Sequence, residues 1–161
     1  YGHIGKKLID YLTPHGSKIL IYDPLMEPNE TISDYVRSTS LELLLKNSDA
    51  ISIHVPLLDG TVNLIGEKEL AMMKKGSILV NLARGGIVCE SSLYKALKSN
   101  HLAGAAFDVF VNEPSNSNKF TSHLLELNNF FSTPHIAGTS NQTIEKLGQS
   151  AINCLIDSCQ K

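Results

Sequence analysis

The sequence predicts an α/β domain, a doubly wound parallel sheet wrapped by helices. Three observations carry that prediction. Short apolar runs alternate with helical stretches along the chain, an order that favours a parallel sheet with helical crossovers. Most of these runs are continuously apolar rather than alternating, as strands covered on both faces are. The 161 residues, 42% hydrophobic and 19% charged, suffice for one domain, or one and a fraction, with a core able to fold alone.

Each element has its own signal. Ile4, Leu8 and Leu12 lie four apart and stripe a first helix, which Pro14 and Gly16 end. Strand candidates are 18–22 (KILIY), 50–54 (AISIH), 77–81 (SILVN), 103–107 (AGAAF) and the short 130–132, with a very short one at 35–36. Leu41, Leu44 and Leu45 stripe a second helix, Leu70 and Met73 a third, and Leu93 and Leu97 a fourth. The last helix is the longest, over 141–158, with Ile144, Leu147, Ala151, Ile152 and Leu155 facing one way. Between strands, 110–129 reads as a polar loop with one helical turn at 124–127. Loops of this length in a compact domain are often functional.

Composition excludes several classes of function. A net charge of −2 and a pI near 6.3 rule out a bulk electrostatic grip on nucleic acid or anionic membrane. Aromatic residues are 6% with no tryptophan, too few for a base-stacking platform. No apolar run approaches the roughly 20 residues of a membrane span. Cys89, Cys154 and Cys159 form neither a paired disulfide framework nor a CxxC zinc spacing. A reducing cytoplasm is the expected setting.

The chain opens on Tyr1 rather than Met, with a motif already under way. Gly2 and Gly5 fit the tail of a G-x-G-x-x-G loop whose first glycine would stand before Tyr1. In such a loop one glycine lets backbone approach a pyrophosphate, and the following helix N-terminus presents N–H groups to it. Two glycines three apart also fit an ordinary tight turn before a helix. Asp23 weighs for the first reading. It ends the next strand, 18 residues after Gly5, where a carboxylate can accept from both hydroxyls of an adenosine ribose and repel a 2′-phosphate. The pattern therefore points to NAD rather than NADP; a turn-forming Asp-Pro is the alternative. The glycine loop of a Rossmann-type sheet follows a central strand, so the expectation is an N-terminally truncated fragment whose first central strand lies upstream.

Polar groups follow the later strands, on the side where open α/β sheets bind ligands. Arg84 stands in 81–86 (NLARGG) and is one of two arginines. A guanidinium there can clamp a carboxylate through two bonds, or serve an ordinary ion pair. Asp108 lies among apolar neighbours, so it needs a donor, as does Glu113 further on. His135 follows the last strand in 133–138 (TPHIAG).

With these motifs in order, the chain resembles the cofactor-binding domain of the D-isomer-specific 2-hydroxyacid dehydrogenases. The resemblance runs almost end to end, through Gly2 and Gly5, Asp23, His54 to Leu57 with Thr61, 81–88 (NLARGGIV), 104–110 (GAAFDVF), Glu113-Pro114 and 133–138. It implies an NAD-dependent oxidoreductase acting on a small D-2-hydroxy or 2-oxo acid, with no nucleic-acid or membrane partner, working as a homodimer. Residues 1–138 would be the NAD-binding domain, incomplete at its start, and 139–161 a long helix returning toward a substrate domain. On this resemblance Arg84 orients substrate, His135 is the general acid and base, and Glu113 is its carboxylate partner. Gly2, His3, Ile4, Gly5, Asp23, His54, Pro56, Thr61, Ala83, Arg84, Asp108, His135 and Gly138 would surround the cofactor, with Asp108 on the nicotinamide carboxamide and Pro56 beside the adenine. A carboxylate beside the imidazole favours its protonated form, keeping a proton at hand for reduction. No metal is implied.

Two other readings share features with this one. Corepressors of the C-terminal-binding-protein type resemble the same fold and carry the Arg, Glu and His set while acting mainly as NAD(H)-sensitive scaffolds. An adenosylhomocysteinase-like use of NAD fits the Arg84, Glu113 and His135 set less well. Two departures from the family pattern stand out. Cys89 replaces the usual helix-capping aspartate, so Glu90, Ser91 or Ser92 is expected to take over and shift that boundary. The stretch from Glu113 to His135 carries polar extras at 115–119. The fragment alone is expected not to turn over substrate.

Overall fold

The computed structural model of the chain describes residues 1–113 and 120–159; the polar extras at 115–119 lie outside them. Helix α1 (His3–Leu12) runs into a tight turn at Thr13–His15 and stops at Gly16. There φ is +72°, a conformation only glycine takes without strain. Strand β1 (Ile19–Ile21) follows, then β2 (Thr31–Ser33), β3 (Val36–Ser38), α2 (Leu41–Asn47) and β4 (Ala50–Ile53). The chain continues through α3 (Glu67–Met72), β5 (Ile78–Asn81), α4 (Glu90–Lys98), β6 (Gly104–Phe107), β7 (Phe130–Ser132) and α5 (Asn141–Cys159).

The strands form two groups. β4, β5, β6 and β7 lie side by side in chain order, all parallel. β1 pairs in parallel with β3, and β2 pairs antiparallel with β3. Among the described residues β1 has no other strand partner and neither has β4, so each leaves one edge without a ladder. Strand β2 is absent from the sequence expectations because its residues are polar (Thr31, Ser33) and it holds only by pairing with β3. The short strand expected at 35–36 lies at Val36–Ser38, and the turn expected at 124–127 lies at His123–Glu126.

The core sits on β4 to β7 and the helices α2 to α4. Leu45, Leu79, Ile87, Leu93, Leu97 and Leu102 are sealed in it. Burial of this kind stabilises by about 1.5–3 kcal/mol per large side chain, and these residues make the sheet edge a rigid platform. Phe110 adds an aromatic cluster at that edge, its ring 4.7 Å from Phe120 and 6.1 Å from Phe130 between centroids. Helix α5 is different. Its stripe of Ile144, Leu147, Ile152 and Leu155 stays exposed. No described helix is long and apolar enough to cross a membrane.

Candidate active site

Register decides what the strand ends have in common. Ile53 pairs with Asn81, Asn81 with Phe107, and Phe107 with Ser132, so the last residues of four parallel strands form one lateral row. The residues that follow each strand therefore emerge on one carboxyl edge. The two ladders between β5 and β7 span about 10 Å at the usual strand spacing, within reach of an arginine side chain.

After β5, Asn81 shapes the turn. Wholly buried, it must satisfy its amide inside the protein. Its Oδ1 accepts from the Ala83 N–H at 3.1 Å, and its Nδ2 donates to the Arg84 carbonyl at 2.9 Å. Arg84 is presented from this turn, exposed, with Nη1 donating to the Ala83 carbonyl at 2.7 Å. Among the described residues it pairs with no carboxylate. Gly85, next in line, packs directly on the backbone of Phe110 and Val111, where a Cβ would overlap the Phe110 carbonyl.

After β6, Asp108 is 1% exposed. Its Oδ1 accepts from the Thr133 hydroxyl and, at 2.9 Å, from the Ile136 N–H; its Oδ2 accepts from the Ala137 N–H at 2.9 Å. Burial pushes its carboxyl up, but these three donors and the nearby His135 outweigh it and hold the group below the usual aspartate value. The bonds fall on both sides of His135, whose φ is +53°. A left-handed, non-glycine residue of this kind costs about 1–3 kcal/mol and persists only where neighbours over-determine it. Asp108 supplies that constraint.

Glu113 completes the cluster. Its Oε1 accepts from the Phe110 N–H at 2.9 Å and its Oε2 receives the His135 Nδ1 at 2.6 Å. Burial pushes this carboxyl up too, and the His135 and Phe110 hydrogen bonds bring it down below the ordinary glutamate value. With Nδ1–H committed to a carboxylate, Nε2 is the nitrogen left for proton exchange. Glu113 and His135 remain partly open to solvent, at 35% and 48%.

The other group of expected residues gathers near the start of the chain. Gly2 caps α1 in extended conformation, and the first N–H bonded inside the helix is that of Lys6, to the Gly2 carbonyl. The N–H groups of His3, Ile4 and Gly5 thus lack helical partners. A Cβ on Gly2 or Gly5 would meet nothing within 4 Å. Asp23 accepts from the Leu25 N–H at 2.9 Å. His54 hydrogen-bonds the Ser52 hydroxyl at 2.8 Å through Nε2, and its burial lowers its pKa.

Thr61 folds the loop after β4 on itself, donating to the Pro56 carbonyl at 2.7 Å and accepting from the Leu58 N–H at 2.8 Å. Gly138 sits exposed in the turn before α5. No hydrogen bond among the described residues joins the Asp23 group to the Arg84 and His135 group. Cys89 stays at the N-cap of α4, which starts at Glu90 with no shift of boundary. Instead of capping, its sulfur pairs with the hydroxyls of Ser92 at 3.2 Å and Ser91 at 3.4 Å. The Ser91 and Ser92 contacts hold the thiol below its ordinary pKa.

Sequence reasoning assigned no role to Asn81 or Thr133, and to Glu90 only that of a candidate helix cap. A polar residue closing an apolar strand, as Asn81 does, is the signal that finds the first, because it has to be paired when buried.

Comparison with known proteins places this geometry. Residues 1–137 match the family model described as D-isomer specific 2-hydroxyacid dehydrogenase, NAD binding domain. The chain is 41% identical over 157 residues to D-3-phosphoglycerate dehydrogenase of Escherichia coli, covering 97% of this chain and 38% of that protein. It is 37% identical over 156 residues to glyoxylate reductase of Thermococcus litoralis, covering 97% of this chain and 46% of the relative. The chain thus spans less than half the length of these curated relatives. Among solved structures, the NAD-complexed D-isomer specific 2-hydroxyacid dehydrogenase of Lactobacillus delbrueckii ssp. bulgaricus superposes with a TM-score of 0.86. Identity there is 30%, with 99% of this chain and 50% of that chain covered.

Proposed function

We propose that this chain, which belongs to the D-isomer specific 2-hydroxyacid dehydrogenases through their NAD binding domain, carries the cofactor site and acid–base pair of an enzyme interconverting a D-2-hydroxy acid and its 2-oxo acid. The observation that carries the reading is the Glu113–His135 pair at 2.6 Å, on the same sheet edge as an arginine without a carboxylate partner among the described residues.

The residues present fit NAD. Among the described residues nothing requires glycine at positions 2 and 5, since a Cβ there meets no neighbour; a pyrophosphate lying against the start of α1 would require it. Asp23, ionised at the end of β1, suits the hydroxyls of the adenosine ribose and repels a 2′-phosphate. Pro56 and the loop that Thr61 folds would flank the adenine, with His54 neutral beside them. Asp108 has spent three acceptor positions on the loop of His135, leaving one for a carboxamide N–H. Ala83 and Gly138 would border the site with backbone. Bound there, the nicotinamide supplies or accepts the hydride.

The chain's own groups do the rest. The Arg84 guanidinium would hold the acid's carboxylate and polarise its carbonyl oxygen. His135 Nε2 would give a proton to that oxygen in reduction and take one from the hydroxyl in oxidation. Glu113 holds Nδ1 and so fixes which nitrogen works. In the same reading a central strand lies between β1 and β4, supported by the free edge that each leaves. The exposed stripe of α5 would pack on the substrate-binding part of the protein, and the complete protein is a homodimer in a reducing, cytoplasmic setting. Cys89 and Cys154, both free, are compatible with that setting, and light scattering measures the oligomeric state.

The test is turnover of NADH by the complete protein with a panel of 2-oxo acids. At least one should be reduced, and His135→Ala should lower kcat by about 100-fold or more while NADH still binds by fluorescence titration. Near-normal kcat in His135→Ala would remove this histidine from the mechanism.

A further inference from the structure

The carboxylate of Glu90 reaches from the first residue of α4 to the Val111 N–H at 2.8 Å, 21 residues away. Nothing in the reading above uses this contact. Its position makes it informative, because Gly85, Glu113 and Glu90 all meet the backbone of Phe110 and Val111. From one side Gly85 presses on it so closely that a Cβ would overlap the Phe110 carbonyl and come within 2.6 Å of the Val111 nitrogen. One peptide earlier, the Phe110 N–H is taken by Glu113 at 2.9 Å. At its far side the Val111 N–H is taken by Glu90. Beneath it, the Phe110 ring is anchored among Phe107, Phe120 and Phe130.

We infer that the Phe110–Val111 backbone is the common reference for the three chemical groups, and that Glu90 and Gly85 are positioning residues of the same reaction, acting through it. The chain of contacts is short and directional. Gly85 follows Arg84, so the close approach sets the arginine turn against the peptide. Glu113 is bonded to the N–H of the same Phe110, one peptide earlier, and holds His135. Without Glu90, the Phe110 ring, the Gly85 contact and the Glu113 bond to the Phe110 N–H remain to fix the backbone that leads into Glu113, a segment exposed to solvent at Val111 and Asn112. Displacements of about 1 Å at a reacting group are enough to lower rates by two orders of magnitude. Glu90 is therefore worth more to the reaction than one partly exposed hydrogen bond is worth to folding. The inference rests on the proposed roles of Arg84, Glu113 and His135.

Three substitutions at position 90 in the complete protein separate positioning from charge. Glu90→Gln keeps an oxygen at the same reach but removes the negative charge. Glu90→Asp keeps the charge at the start of α4 but is one methylene short of Val111. Glu90→Ala removes both. The expected result is a roughly tenfold fall in kcat for Ala and Asp, with KM for NADH within twofold, and recovery of most of kcat in Gln. Amide hydrogen exchange at Val111 should accelerate in Ala and Asp and stay protected in Gln.

Gln behaving like Ala while Asp behaves like the parent would mean that helix-end charge alone matters, and would overturn the inference. So would unchanged kcat in all three, or a loss confined to thermal stability. His135→Ala measured alongside separates the two levels. If it abolishes turnover while Glu90→Ala does not lower kcat, positioning fails and the proposed function stands. If His135→Ala turns over normally, the reading beneath the inference fails first.

Discussion

Leu93 and Leu97 on α4 are 0% and 1% exposed, whereas Ile4 and Leu12 on α1 are 68% and 37% exposed. Both pairs belong to apolar stripes of similar spacing on helices of similar length, 9 and 10 residues. The difference is what each helix faces. The α4 stripe joins a core shared with Leu79, Ile87 and Phe107 on and beside four parallel strands. The α1 half has three strands of three residues each, with Ile21 and Val36 its only buried apolar residues in strands among those described.

The proposed chemistry divides the same way. Arg84, Asp108, Glu113 and His135 stand on the packed half, held by Asn81, Glu90 and the Phe110 backbone before any ligand arrives. Gly2, Gly5 and Asp23 stand on the exposed half. An acid–base pair has to be preorganised to within fractions of an ångström, and a packed sheet edge provides that. A phosphate-facing glycine loop needs open space instead. The contrast teaches that apolar periodicity identifies a face, while burial depends on a surface that meets it.

The contrast can be broken or sharpened by experiment. The largest effect is expected from Leu93→Ala, which should destabilise the complete protein by about 2–5 kcal/mol through transfer and cavity terms. Leu25→Ala, 94% exposed in the turn after β1, should stay within roughly 0.5 kcal/mol. Urea unfolding measures both, and equal losses would erase the distinction between the halves.

Next is Asp108→Asn. The new NH₂ would face the Ala137 N–H, so a cost of roughly 2 kcal/mol is expected. The carboxyl sits below its ordinary value when folded. Its contribution is therefore complete above the unfolded aspartate value of about 3.9 and fades as pH falls through the lower folded value. Unfolding scans from neutral to acid pH should show a shallower acid-side slope for the variant. An unchanged slope would mean that the clamp on His135 adds little.

Asp23→Ala should weaken NADH about tenfold and relax discrimination against NADPH, with stability nearly unchanged because the group lies on the exposed half. Fluorescence titration of both cofactors measures this, and unchanged preference would count against the ribose role. The smallest effect is expected from Cys89→Asp. A carboxylate at the N-cap position would supply the side-chain acceptor that α4 lacks, stabilising by about 1 kcal/mol.

Much of the molecule was legible in the chain. Strands β1 and β4 to β7 and the five described helices carry continuous apolar runs or stripes three or four residues apart, local signals that need no partner to be read. Strand β2 was not legible, since Thr31 and Ser33 become a strand only by pairing with β3. At the site, Arg84, Glu113 and His135 were readable because each follows a strand in a spaced motif. The three ligands of Asp108 were not, because they come from residues 25 to 29 positions away.

By itself, then, the sequence determined the element types and their order, and through its spaced motifs the residue kinds at the sheet's carboxyl edge. These follow from periodicity and turn chemistry within a few residues of one another. Tertiary structure alone decided which stripes are buried, that Asp108 clamps both sides of a left-handed His135, and that Gly85 and Glu90 meet at one peptide near Val111. Those contacts join distant strands and helices, and the register of the parallel sheet is what brings them to a single edge.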